Sequence, residues 1–135
     1  MGGGYCFWHD PQFDKSGMDL KDKLEHYAQN GGLLHGLQLK RTNLAGLSLI
    51  NRSGGKGFDI SYSDLYRANL KGAHLFNLQC RYGSLMKADL REANLHCAQL
   101  GGTNLLGVKL ADAKLNHTHF GHILFQEEKG LEAEK

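Results

Sequence analysis

Residues 87–115 read KADLREANLHCAQLGGTNLLGVKLADAKL, which puts leucine at 90, 95, 100, 105, 110 and 115. The period extends in both directions. From Ile60 to Phe125 every fifth position is a large apolar residue except Cys80. Two residues before each lies a second restricted position, mostly small, as at Ala68, Ala73, Ala88, Ala93, Ala98 and Thr103. An α-helix would carry a five-residue repeat around all of its faces, and a flat strand would send successive leucines to opposite sides. A chain that turns by about a quarter after every five residues brings both positions to one axis and leaves the other three facing outward.

These residues resemble the pentapeptide-repeat family, whose motif is Ala, Asp or Asn, Leu and two free residues. Ala68-Asn69-Leu70, Ala88-Asp89-Leu90 and Ala93-Asn94-Leu95 match it, and Ser63-Asp64-Leu65 and Thr103-Asn104-Leu105 are looser forms. The resemblance implies an all-β solenoid, a right-handed quadrilateral β-helix with about 20 residues per coil. The motif starts earlier in another phase, at Leu34, Leu39, Leu44 and Leu49. The Leu49–Ile60 interval reads as two repeats plus one residue, with NRSGGKG (51–57) as an outward loop.

Three segments follow. Residues 1–31 form an aromatic N-terminal segment and a capping α-helix; residues 32–126 form the repeat; residues 127–135 form a polar tail. In SGMDLKDKLEHYAQNGG (16–32), Ser16 or Asp19 reads as a helix cap, and Leu20, Leu24, Tyr27 and Ala28 share one face. This helix of roughly three turns is expected to cover the first coil, with Tyr5, Phe7 and Trp8 anchored against it. No such helix follows the last coil, so the natural chain is expected to continue or to meet another molecule there. The resemblance implies end-to-end dimerisation.

Composition narrows the function. The chain is 41% hydrophobic and 22% charged with a formal net charge of +2, an ordinary globular balance. Seven Lys or Arg and five Asp or Glu between 58 and 125 give 7 − 5 = +2, so the continuous acidity of a DNA mimic is absent. No groove-reading helix or stacking sheet points to direct nucleic-acid binding. No apolar run suits a membrane segment, and three cysteines, Cys6, Cys80 and Cys97, which form no CxxC and cannot all pair within one chain, suit the cytoplasm.

No catalytic, cofactor-binding or metal-binding constellation stands out. The Asp and Asn before each leucine, among them Asp59, Asp64, Asn69, Asp89, Asn94 and Asn104, read as turn-holding residues. Cys80 reads as core filler offset by Leu78, and His117, His119 and His122 as surface residues. Cys6 and His9 have CxxH spacing, which is half of a zinc site. No enzyme, metal or cofactor is therefore expected. The reading is a non-catalytic protein-interaction or structural scaffold, carried within a longer protein if the chain continues. Its alternatives are a DNA-mimicking topoisomerase-binding protein and a metal-binding or enzymatic accessory module. Tyr66, Met86 and Leu106 share one outward position at twenty-residue intervals, and Leu124 continues that side. They form the expected contact stripe for an unidentified protein or a second copy, with Asp64, Arg67 and Lys87 at its edge.

Overall fold

The computed structural model describes residues 6–52, 54 and 56–121. Its order is fixed by a five-residue unit. After each inward leucine come two turn residues, and the second of them has a positive φ, as at Arg67 (55°), Gly72 (71°), Lys87 (56°) and Glu92 (64°). The next N–H then closes the turn onto the leucine carbonyl, as from Ala68 to Leu65 and from Ala88 to Leu85, both at 2.9 Å. The residue before the leucine clamps the same turn from its side chain. Asp64 Oδ1 accepts from Tyr66 N, Asn94 Oδ1 from His96 N and Asn104 Oδ1 from Leu106 N, at 3.0–3.1 Å. The expected turn-holding role of these Asp and Asn residues is what the structure has.

Successive circuits pair in parallel at a spacing of twenty residues, as at Asp64↔Ser84, Asn69↔Asp89 and Ser84↔Asn104. The all-β solenoid and quadrilateral β-helix expected from sequence are corrected here. Every one of these pairings is an isolated single-residue bridge, and no strand or sheet exists among the described residues. The regular elements are a 3-10 turn, Phe7–His9, and one α-helix, α1, Lys21–Gln29. The cause lies in the unit itself. Two of five residues are spent in the turn, and only the one before the leucine is left to bridge.

The interior is nevertheless continuous. Leu65, Leu85 and Leu105 are buried one above another, and Ala68, Ala88 and Val108 fill the positions beside the next leucines, Leu70, Leu90 and Leu110. Small residues there let opposite sides of the circuit approach, which is how so narrow a core reaches interior packing density. Where Cys80 shortens the leucine column, Leu78 enlarges its neighbour, and both are buried. One void in this core is about 20 Å³ and its lining is wholly apolar.

The first circuit pairs with the second at a spacing of twenty-six residues, as at Gln38↔Asp64, Asn43↔Asn69 and Ser48↔His74. The segment after Leu49 is thus one side of the circuit enlarged by 26 − 20 = 6 residues, not two repeats plus one. Its glycine at 57 packs so closely on the Asn77 carbonyl that no side chain would fit.

Helix α1 lies over the first circuit. Leu24 and Ala28 are buried, Glu25 accepts a hydrogen bond from Ser48 N at 2.7 Å, and Gln29 Nε2 donates to the Ile50 carbonyl at 2.9 Å. It is shorter than expected, and neither Ser16 nor Asp19 is its cap: Leu20 precedes it without a side-chain cap. Asp19 still accepts from Lys21 N at 3.3 Å. Before the helix, the chain satisfies part of the edge of the first circuit: Trp8 O accepts from Gln38 N, and Met18 O accepts from Asn43 N, both at 2.8 Å. Trp8 stacks on Tyr27 of α1 with ring centroids 5.3 Å apart, as the aromatic tail was expected to do. Tyr5, Ile123, Leu124, Phe125 and the tail 127–135 lie outside the described residues.

Candidate protein-interaction surface

The turn geometry sorts outward side chains into columns. The first turn position of one side carries Tyr66, Met86 and Leu106; the second carries Arg41, Arg67 and Lys87. Backbone bonds lock the two columns in stagger. Arg41 N donates to Tyr66 O, Arg67 N to Met86 O and Lys87 N to Leu106 O, at 2.8–2.9 Å. Each cation is therefore carried beside the apolar residue of the next circuit. Above Lys87 the column ends in Gly107, across which the Lys87 stem lies: a Cβ at 107 would stand 3.0 Å from its Cγ.

The four expected contact residues differ in environment. Leu106 is exposed, Met86 and Tyr66 are half-buried, and Leu124 lies outside the described residues. Tyr66 is not a bare apolar residue. The Arg41 and Arg67 guanidinium carbons lie 5.1 and 5.5 Å from its ring centroid, and Arg67 Nε donates to its hydroxyl at 3.0 Å. That hydrogen bond holds the phenol below its ordinary pKa. Met86 Sδ faces Asn104 Nδ2 at 3.9 Å. The edge residue Asp64 turns inward to its own turn, so the border of the stripe is basic.

A second outward column went unread in the sequence. Tyr62 and Tyr82 are both exposed and stack with centroids 5.8 Å apart at 22°, with His35 edge-on to Tyr62. On another side Phe76 and His96 stack at 5.6 Å, and His117 meets His96 edge-on. The same twenty-residue interval that joins Tyr66 to Met86 joins Tyr62 to Tyr82, and was the signal available.

Cys80 is fully buried, and burial pushes its thiol up to about 12, the state of a core residue. Some carboxylates sit in local pairs. Arg91 grips Asp89 at 2.9 and 2.7 Å and lowers its pKa, and His35 Nε2 meets Asp59 at 3.0 Å. Among the described residues no group of three or more His, Cys, Asp or Glu is placed to hold a metal ion. No helix among them is long and apolar enough to cross a membrane.

With this geometry in view, a family model described as pentapeptide repeats, in 8 copies, matches residues 68–107 and 84–121. Over residues 68–121 the chain is thus similar to pentapeptide repeats. No curated protein matches it. Among solved structures it is similar to a pentapeptide-repeat protein of the cyanobacterium Cyanothece 51142, at 22% identity over 71% of this chain and 84% of that one, TM-score 0.29. It is similar also to HetL of Nostoc sp. strain PCC 7120, a protein involved in heterocyst differentiation regulation, at 27% identity over 62% of this chain and 46% of that one, TM-score 0.35. A third is a thylakoid-lumen pentapeptide-repeat protein of Arabidopsis thaliana, at 24% identity over 72% and 64%, TM-score 0.33. The chain thus spans less than half of HetL and just under two thirds of the Arabidopsis protein.

Proposed function

We propose that this protein is an interaction scaffold whose contact surface is the paired columns Tyr66, Met86, Leu106 and Arg41, Arg67, Lys87. The partner is a protein surface that sets carboxylates beside apolar side chains. The observation that carries this reading is the backbone stagger, which fixes each cation next to an apolar residue of the following circuit. Such an alternation offers apolar burial with charges to orient it, and the guanidinium pair on Tyr66 suits bidentate carboxylates. Leu124 is proposed to extend the same side. An acidic DNA mimic has the wrong sign for this face, which carries three cations.

Two double variants test it, Met86→Glu with Leu106→Glu and Arg67→Glu with Lys87→Glu, assayed by light scattering after size exclusion and by photo-cross-linking from position 66 in the source cell. Both are expected to keep the circular-dichroism spectrum of the parent and to lose the cross-linked species or the assembled mass. An unchanged mass together with unchanged cross-links would overturn the reading.

A further inference from the structure

We infer that the cavity between the N-terminal segment and the first circuit is a binding site for a phosphomonoester, held chiefly by Lys40 and Arg41. Two backbone bonds build the cavity. Gln38 N donates to Trp8 O and Gly17 N to Arg41 O, both at 2.8 Å. Between these ties residues 9–16 cover the distance that residues 39–40 cover on the circuit, so the longer stretch bows away from the wall. The space left is about 230 Å³, with Gln12, Phe13 and Ser16 on one side and Gln38, Lys40 and Arg41 on the other. Drug-sized ligands take pockets of ~300–1,000 Å³, so what fits here is one charged group with a few attached atoms.

The cations of this cavity have no anion of their own. The Arg41 guanidinium carbon lies 5.1 Å from the Tyr66 ring centroid, which holds the group in place. Among the described residues nothing accepts a hydrogen bond from that guanidinium and no carboxylate pairs with it, and the same is true of the Lys40 ammonium. Lys15 lines the cavity too. It is buried, and its Nζ donates to the Asp10 carbonyl at 3.0 Å, again with no carboxylate partner. Asp14 is the one acid in the lining. Its Oδ1 accepts from Ser16 N at 2.9 Å, and hydrogen bonding by Ser16 holds its carboxyl below the ordinary range. The charges of Arg41 and Lys40 act in the same direction, so both cations already act on an anion placed at the cavity wall.

Charge selects the ligand. Three cations against one carboxylate leave two positive charges in excess, which a phosphomonoester near pH 7 matches with about −1.5 to −2. A carboxylate would offset only half of that excess. The terminal oxygens of a phosphate also outnumber those of a carboxylate: the planar Arg41 fork suits two of them, and Lys40 suits the third as a point charge. Gln12, Gln38 and Ser16 add neutral donors to the walls. The phosphate is carried either by a small metabolite or by a phosphorylated serine of another protein, and the chemistry that holds it is the same. This site goes beyond the scaffold reading and shares only Arg41 with it, since Lys40 stands outside both columns of that surface.

Amide NMR spectra of the whole chain, titrated with inorganic phosphate and separately with sodium chloride at matched ionic strength, test the site. Saturable shifts are expected at Gln12, Ser16, Gln38, Lys40 and Arg41 with phosphate and not with chloride. Lys40→Gln and Arg41→Gln are each expected to weaken binding about tenfold, the loss of a hydrogen bond to a charged group. Both side chains are exposed, so the folded spectrum should be kept. The Met86→Glu, Leu106→Glu variant is expected to bind phosphate as the parent does, which separates failure of the contact stripe from failure of this site. Glycerol phosphate and a phosphoserine peptide are then titrated: tighter binding of the first assigns a metabolite, tighter binding of the second a phosphoprotein. Shifts that follow ionic strength alone would overturn the proposal. So would parental affinity in both Lys40→Gln and Arg41→Gln, or weaker binding of both esters than of inorganic phosphate.

Discussion

The ring of Tyr82 rests on Gly102: a Cβ added at position 102 would stand 2.6 Å from its Cδ1 and Cε1 atoms. Gly102 also has a φ of +72°, whereas Gly72, with a φ of +71°, has nothing within 4 Å of its missing Cβ. Gly72→Ala is expected to cost ~1 kcal/mol from the backbone alone. Gly102→Ala is expected to cost ~2 kcal/mol, the excess coming from displacement of Tyr82 from its stack on Tyr62. In the Tyr82→Ala background that excess should vanish, so a double-mutant cycle by urea unfolding checks the pair.

Leu85 lies between Leu65 and Leu105 in the interior and is 3% exposed. Leu85→Asp would remove the apolar contacts and strand a carboxylate in a void lined only by apolar side chains. A loss of ~4 kcal/mol or more is expected. An unfolding midpoint equal to that of the parent would contradict the inward placement.

Cys80 gives the protein a defined alkaline sensitivity. Burial raises its thiol from an ordinary value of 9.0 to about 12. Below that lower value both folded and unfolded chains hold the proton. Between them only the unfolded chain releases it, so stability falls as pH rises, by up to ~1.4 kcal/mol per pH unit. Cys80→Ala should unfold with a shallower pH slope from 9 to 12 than the parent, as read by urea titrations at each pH.

Trp8 is the clasp of the N-terminal segment, with its ring on Tyr27 and its carbonyl on Gln38 N. Trp8→Ala is expected to cost ~3 kcal/mol. Hydrogen exchange should then quicken first at Gln38 and Asn43, whose N–H groups are held by this segment, while Ser84 and Asp89 keep their protection.

The inward positions were legible because a large apolar and a mostly small residue recur with few exceptions, and a fivefold period leaves few ways to bury both. The class of secondary structure was not. Extended pairing was inferred from resemblance, whereas the turn consumes the residues next to the bridge, so that Ser84 pairs alone with Asp64 and Asn104. The register at Leu49 was misread because an interval of eleven residues fits two repeats plus one as well as one side plus six. The pairings of Gln38 with Asp64, Asn43 with Asn69 and Ser48 with His74 decide between them. For the surface, the interval found Tyr66, Met86 and Leu106 but could not show that arginines cover the tyrosine. The Cys6–His9 contact was visible as spacing, but the burial of Lys15 was not.

The twenty-residue return has an evolutionary arithmetic. Duplicating any twenty consecutive residues between 60 and 115 inserts a whole floor and leaves every outward column aligned above and below it. A gain of five residues keeps each leucine inside but rotates everything after it by one side, shearing Lys87 away from Leu106 while the core stays filled. Length and surface pattern can therefore drift separately, and the enlarged side after Leu49 shows a third route, in which added sequence is shed outward and the floors above keep their orientation.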